Sequence, residues 1–129
     1  MTRLKVAAFG EAEKGQYAYP YTVKNLSELV ESLGNPPKDS QGLLYAIQAL
    51  LYERDLIFFR VEEEGFHIPS YVKGLKILEN PKVDHVDALC LPGVGDQEIL
   101  EATKKVCRLY QSIMILTEKD LYDYLTHQN

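Results

Sequence analysis

The feature that most constrains the fold of this chain is an apolar run that breaks at a proline and a glycine and leads directly into a helical pattern. The run is Val86-Asp-Ala-Leu-Cys-Leu91, the break is Pro92-Gly93, and the helical pattern extends over Gln97–Tyr110. Asp96 stands directly before that helix, where a carboxylate can cap the first turn. A buried strand followed at once by a helix is typical of the carboxyl edge of an α/β sheet, where such folds usually bind ligands.

Apolar runs and helical patterns alternate along the rest of the chain. The predicted strands are residues 4–9, 56–61, 85–91 and 112–116. The predicted helices are residues 25–33, 40–51, 71–78, 97–110 and 118–125. Strands joined by helices run parallel, because parallel neighbours need crossover connections. We therefore predict one α/β domain over residues 1–129, with a three-layer, mostly parallel, Rossmann-like or flavodoxin-like sheet of about four strands and helices on both faces.

Local signals predict where the helices begin and end. Asn25 and Glu28 have the spacing of a capping box, and Gly34 is placed to end the first helix. Either Asp39 or Ser40 is expected to open the second helix.

Two polar segments are predicted to lie outside these helices and strands. Residues 11–20 are polar and contain glycine and tyrosine, which indicates a loop. The acidic run Glu62-Glu63-Glu64 is interpreted as a solvated turn rather than a cation site.

Charge and composition exclude some classes of protein. The 14 basic and 19 acidic residues give a net charge of −5, which argues against nonspecific nucleic-acid binding. No apolar run approaches the roughly 18 residues of a membrane span. The start, Met1-Thr-Arg-Leu-Lys5, lacks the apolar centre of a signal peptide, so a cytoplasmic location is expected. Cys90 and Cys107 are then predicted to be buried thiols rather than a disulfide.

The candidate ligand-binding residues are Gly93, Gly95 and Asp96. Backbone N–H groups of such a turn can hold a phosphate at the start of a helix. However, the chain has no Gly-Lys-Ser/Thr sequence, and Glu98 stands where a dinucleotide-binding fingerprint needs its third glycine. The preferred interpretation is therefore a tight structural turn.

No catalytic residue, metal site or cofactor is predicted. A switch motif of GTP-binding proteins would need an aspartate at Cys90, and their base-reading motif would need a lysine at Glu118. His85 and Asp87 share one face of a strand but are too few for a typical metal site.

Tyrosines are frequent at both ends of the chain. They include Tyr17, Tyr19, Tyr21, Tyr122 and Tyr124. Amphipathic rings of this kind are enriched at protein interfaces. Half-buried tyrosines of a core explain them equally well.

Several segments follow one another in an order that points to a known family. They are Phe9-Gly-Glu-Ala-Glu-Lys-Gly15, the helix from Val23 to Gly34, Leu44-Tyr-Ala-Ile-Gln-Ala-Leu50 with the strand Phe58-Phe-Arg-Val61, and Val86–Asp96 with the following helix and strand. Over about residues 4–117 this order resembles the middle part of contractile tail sheath proteins of bacteriophages and related injection systems. Subunits of that family are usually longer and join their neighbours by strand exchange.

The resemblance implies a non-enzymatic structural or assembly protein whose partners are other proteins or copies of itself. The alternative is a small Rossmann-like module that binds an anion or nucleotide at Gly93–Asp96.

Overall fold

The apolar runs of the sequence form the central sheet of the protein. A computed structural model describes residues 3–80 and 82–127. Its elements are β1 Lys5–Gly10, β2 Tyr21–Val23, α1 Leu26–Leu33, α2 Gly42–Leu51, β3 Asp55–Arg60, α3 Ile68–Leu78, β4 Ala88–Cys90, α4 Gln97–Tyr110, β5 Ile113–Ile115 and α5 Glu118–Thr126. The strand order is β2-β3-β1-β4-β5, and β2 alone is antiparallel to its neighbour. The predicted three-layer, mostly parallel α/β fold is confirmed.

The sheet is covered by helices on both faces because successive side chains of a strand point in opposite directions. Val6 and Ala8 of β1 pack in the core that α1, α2 and α5 complete, whereas Ala7 and Phe9 pack in the core completed by α3 and α4. Parallel strands buried on both faces have nearly continuous apolar sequences, and that continuity made β1 and β3 predictable. No helix within residues 3–80 and 82–127 has the length and apolar character needed to cross a membrane.

Two strands differ from their prediction. The edge strand β2 lies just after the predicted loop and was missed, because three residues are too few to show a period. The strand predicted over residues 85–91 is shorter, and only Ala88–Cys90 pair as β4. The preceding Asp87 accepts a hydrogen bond from the Lys5 N–H through its side chain at 2.7 Å.

The starts of α2 and α3 and the capping box of α1 differ from their prediction. Helix α3 begins at Ile68, three residues before the predicted segment 71–78. Helix α2 begins at Gly42 and not at Asp39 or Ser40, whose hydroxyl donates to the carbonyl of Pro37 at 2.7 Å. Asn25 caps α1 as predicted. The Glu28 carboxylate, however, accepts from the Lys24 N–H and not from the N–H of Asn25, so the capping box is not complete.

The two cysteines are unpaired, as predicted, with Cys90 buried in β4 and Cys107 half-buried on α4. Burial raises the pKa of the Cys90 thiol to about 12 and also raises the pKa of Cys107. Because the thiolate is the reactive form, we expect Ellman's reagent at pH 8 to react slowly with Cys107 and not with Cys90 in the folded protein.

Titration of the Cys107→Ser variant isolates Cys90 and should give no reaction until a denaturant is added. In denatured wild-type protein without reductant, two thiols per chain should react with Ellman's reagent. A lower number would contradict the unpaired state.

Candidate functional site

The loops at the carboxyl edge of the parallel strands lie where α/β folds usually form their sites. Strand β1 lies between β3 and β4, so the chain turns to opposite sides of β1 at this edge. Ligands of open α/β sheets usually bind in the crevice at such a position. The loops concerned follow β1, β3 and β4.

The carboxylate of Glu64, in the loop after β3, occupies this edge. Its Oε1 accepts hydrogen bonds from the N–H groups of Glu11 at 3.0 Å and Gly42 at 3.1 Å. Its Oε2 accepts from the N–H of Gln41 at 2.6 Å. Gln41 precedes α2 and provides no side-chain cap, so Glu64 caps that helix from another part of the chain. The interpretation of residues 62–64 as a solvated turn is wrong for Glu64.

The contact between the two loops is reciprocal. The N–H of Glu64 donates to the carboxylate of Glu11 at 2.9 Å. A bound phosphate in other α/β proteins accepts from the same kind of N–H donors at a helix start. Here a negative charge of the chain itself satisfies those donors and the positive end of the helix dipole.

The loop after β3 also reaches the loop after β4. Gly65 has a φ of +90°, and a Cβ added there would lie 2.8 Å from the carbonyl oxygen of Gly93. The N–H of Gly65 donates to the Tyr71 hydroxyl at 2.7 Å. Tyr71 is completely buried beside Phe9, and this burial raises the pKa of its hydroxyl. The crevice region is thus crossed by the protein's own backbone.

The candidate ligand-binding residues lie together on the turn before α4. Gly93 has a φ of +79°, and both Gly93 and Gly95 are exposed with open space where a Cβ would project. The carboxylate of Asp96 accepts from the N–H of Ile99 at 3.0 Å, as a helix cap does. Glu98 adds a second acid in the first turn. Two carboxylates at this helix end oppose the binding of an anion.

A cleft of about 390 Å³ lies at the carboxyl ends of β1 and β3. Arg60 lines it, donates to the carbonyl of Gly15 at 2.6 Å and places its guanidinium 4.3 Å from the ring centre of Tyr17. Glu13 also lines the cleft and accepts from the N–H of Asn35 at 3.0 Å. These polar groups hold the surrounding loops in place. The role of Arg60 could not be predicted from the sequence, because its partners lie about 45 residues earlier in the chain.

Glu62, His67 and Ser70 have the order of contacts seen in a serine hydrolase relay. The Ser70 hydroxyl lies 2.5 Å from Nδ1 of His67, and Nε2 of that ring lies 3.5 Å from the Glu62 carboxylate. However, Ser70 is only 5% exposed, and its N–H donates to the His67 ring as the cap of α3. A nucleophile needs access to substrate and oxyanion donors. The geometry here is that of a helix cap.

A charged cluster lies at the opposite, amino edge of the sheet. His85 is 3.2 Å from the carboxylate of Asp84 and 3.5 Å from that of Asp87. A hydrogen bond from Lys5 to Asp84 lowers the pKa of that carboxyl to about 2. Among the described residues, no group of three or more His, Cys, Asp or Glu side chains is arranged to hold a metal ion.

Comparisons with protein-family models, with curated proteins and with solved structures found no match to this chain.

Proposed function

We propose that this protein is a non-enzymatic structural or assembly component, as its resemblance to tail sheath subunits implies, and that it acts through contacts with other protein chains. The observation that carries the proposal is the outer edge of β5. This strand ends the sheet on the side away from β2.

The hydrogen bonds of β5 show which of its backbone groups face outward. Ile113 donates to the carbonyl of Asp87, and the carbonyl of Ile115 accepts from Leu91. In a parallel ladder, alternate residues bond to the same neighbour, so the N–H and carbonyl of Met114 point away from β4. No strand within the described ranges pairs with that edge.

The edge lacks common protections against pairing with another chain. Residues 112–116 contain no charged residue and no proline, and Ile113 is 53% exposed. Charges and prolines are the usual means by which proteins block an edge strand. The strand has only three residues, so an added strand would gain few backbone hydrogen bonds. A groove of about 360 Å³ beside it offers further contact, and its lining is Ile113 and Met114 of β5 with Asp120, Asp123, Tyr124 and His127.

Blocking the outward N–H tests this function. Proline is tolerated at an edge position whose N–H is not used by the sheet. We therefore expect Met114→Pro to abolish the larger, concentration-dependent assemblies of the wild type in sedimentation velocity experiments. The matched control, Met114→Ala, loses the side chain but keeps the N–H and should still assemble.

Thermal unfolding of both variants verifies that they are folded at the temperature used. Equal association of the proline and alanine variants would contradict a role for the open edge. So would a wild-type protein that stays monomeric at every concentration.

The alternative of an anion or nucleotide site is favoured by one observation, the open space at Gly93 and Gly95. A thermal-shift series with phosphate and nucleotides separates the two functions, because a ligand at one hundred times its Kd stabilises a protein by about 2.7 kcal/mol. The assembly function predicts no ligand-specific shift.

A further inference from the structure

Helix α2 carries large apolar side chains on the side that faces solvent as well as on the side that faces the sheet. Its sequence, Gly-Leu-Leu-Tyr-Ala-Ile-Gln-Ala-Leu-Leu, contains no charged residue. Leu44 is 43% exposed and Leu51 is 59% exposed, with exposed Gln48 between them. Residues at this spacing lie on one face of a helix. A helix with apolar side chains on all its sides and no charged residue is normally covered on more than one side.

A groove separates α2 from α5 beside this exposed stripe. It has a volume of about 280 Å³, and the buried side chains of Tyr45, Leu121 and Leu125 line it. Tyr122 stands on its α5 side with 64% of the residue exposed. The face therefore combines a hollow with an aromatic side chain that projects beside it.

We infer that this face, formed by the outer stripe of α2 and the groove to α5, docks against the same face of a second copy of the chain about a two-fold axis. A two-fold interface uses one surface twice, so that surface must complement itself. A projecting Tyr122 next to a hollow meets that requirement, because each ring can enter the groove of the other copy.

The distribution of charge favours a second copy. Glu118 is the one charged residue among the ten that line the groove. Helices α2 and α5 both start at the carboxyl edge of the sheet, which places Glu118 at one end of the face. Antiparallel packing of the two copies of α2 then separates the two Glu118 carboxylates by roughly the helix length, about 15 Å for ten residues. That distance exceeds the Debye length of about 8 Å at physiological salt.

The expected dimer is weak. A standard stable interface contains about 20–30 residues on each side, and the α2–α5 face supplies fewer. We expect dissociation constants in the micromolar range and a monomer–dimer equilibrium that sedimentation can follow.

A charge placed on the outer stripe of α2 should disrupt the dimer. Leu51→Glu should weaken dimerisation at least tenfold in sedimentation equilibrium, because each copy then places a carboxylate in an apolar interface, at the end of α2 that meets the Glu118 end of the partner. Leu109→Glu is the matched control, since Leu109 is 56% exposed on α4 at the opposite face of the sheet. It should leave dimerisation unchanged. Equal effects of the two substitutions, or no effect of Leu51→Glu, would overturn the inference.

This inference rests on the proposed assembly function but fails separately from it. With the β5 edge blocked by Met114→Pro, the protein should stop at a dimer, and adding Leu51→Glu should give a monomer. A monomeric Met114→Pro chain would overturn the α2–α5 dimer and leave the edge contact intact. A wild type that stops at a dimer sensitive to Leu51→Glu would support the dimer and contradict assembly through the edge.

Discussion

Replacing Gly42 by alanine should destabilise the protein by about 3 kcal/mol or more, as overpacking against rigid neighbours does. A Cβ on Gly42 would lie 2.5 Å from the Cα of Gly10 and 2.7 Å from the carbonyl oxygen of Phe9. Both are backbone atoms, so no change of rotamer can relieve the contact. They lie at the end of β1, against which α2 packs.

Helix propensity alone predicts the opposite effect of Gly42→Ala on stability. The sign of the change therefore shows whether the contact with β1 outweighs helix propensity. Alanine is preferred over glycine in a helix by about 1 kcal/mol, so a helix free of the β1 contact would become more stable. Urea denaturation followed by circular dichroism measures the difference. A Gly42→Ala protein as stable as the wild type would show that α2 does not approach β1 so closely.

Gly95→Ala is the matched control for this substitution. Gly95 has nothing within 4 Å of an added Cβ, and its φ lies outside the left-handed region. The same chemical change there should alter the free energy of unfolding by less than about 1 kcal/mol.

Helices and strands could be predicted from the sequence where the spacing of apolar residues within one segment identifies them. The apolar positions of α4 and its capping residue Asp96 lie within one short segment, and the structure has that helix over the predicted residues Gln97–Tyr110. The run before Val61 likewise indicated a strand that is buried on both faces. Such patterns arise when one helix or strand packs on the core, so the element can be predicted without knowing which distant residues it contacts.

The sequence could not predict contacts between distant segments. Glycine is required at positions 10 and 42 because the backbones of β1 and α2 are in contact there. The residues next to Gly10 give no indication of this contact with Gly42, and the reverse is also true. The start of α2 was misplaced for the same reason. Asp39 and Ser40 are good capping residues, yet the cap is Glu64, which lies 22 residues beyond Gly42.

Glu64→Ala should destabilise the protein by about 2–3 kcal/mol, the range of a lost hydrogen bond to a charged group together with a lost helix cap. The substitution leaves the N–H groups of Glu11, Gln41 and Gly42 without their acceptor. Water can replace part of the loss, since the Glu64 residue is half-buried. Glu63→Ala is the control, because Glu63 is exposed and accepts hydrogen bonds through its backbone carbonyl, which alanine keeps. It should be nearly neutral.

Added sulfate should restore part of the stability that Glu64→Ala loses. The three N–H donors that Glu64 satisfies lie at the start of a helix, and such donors bind an anion once the carboxylate is gone. We expect 50 mM sulfate to raise the Tm of Glu64→Ala more than it raises the Tm of the wild type or Glu63→Ala. Sodium chloride at the same ionic strength separates this specific effect from general screening. If sulfate does not reduce the loss of stability, Glu64 stabilises the protein through side-chain packing and not as an acceptor. If Glu64→Ala and Glu63→Ala are equally stable, the Glu64 carboxylate does not act as the cap of α2.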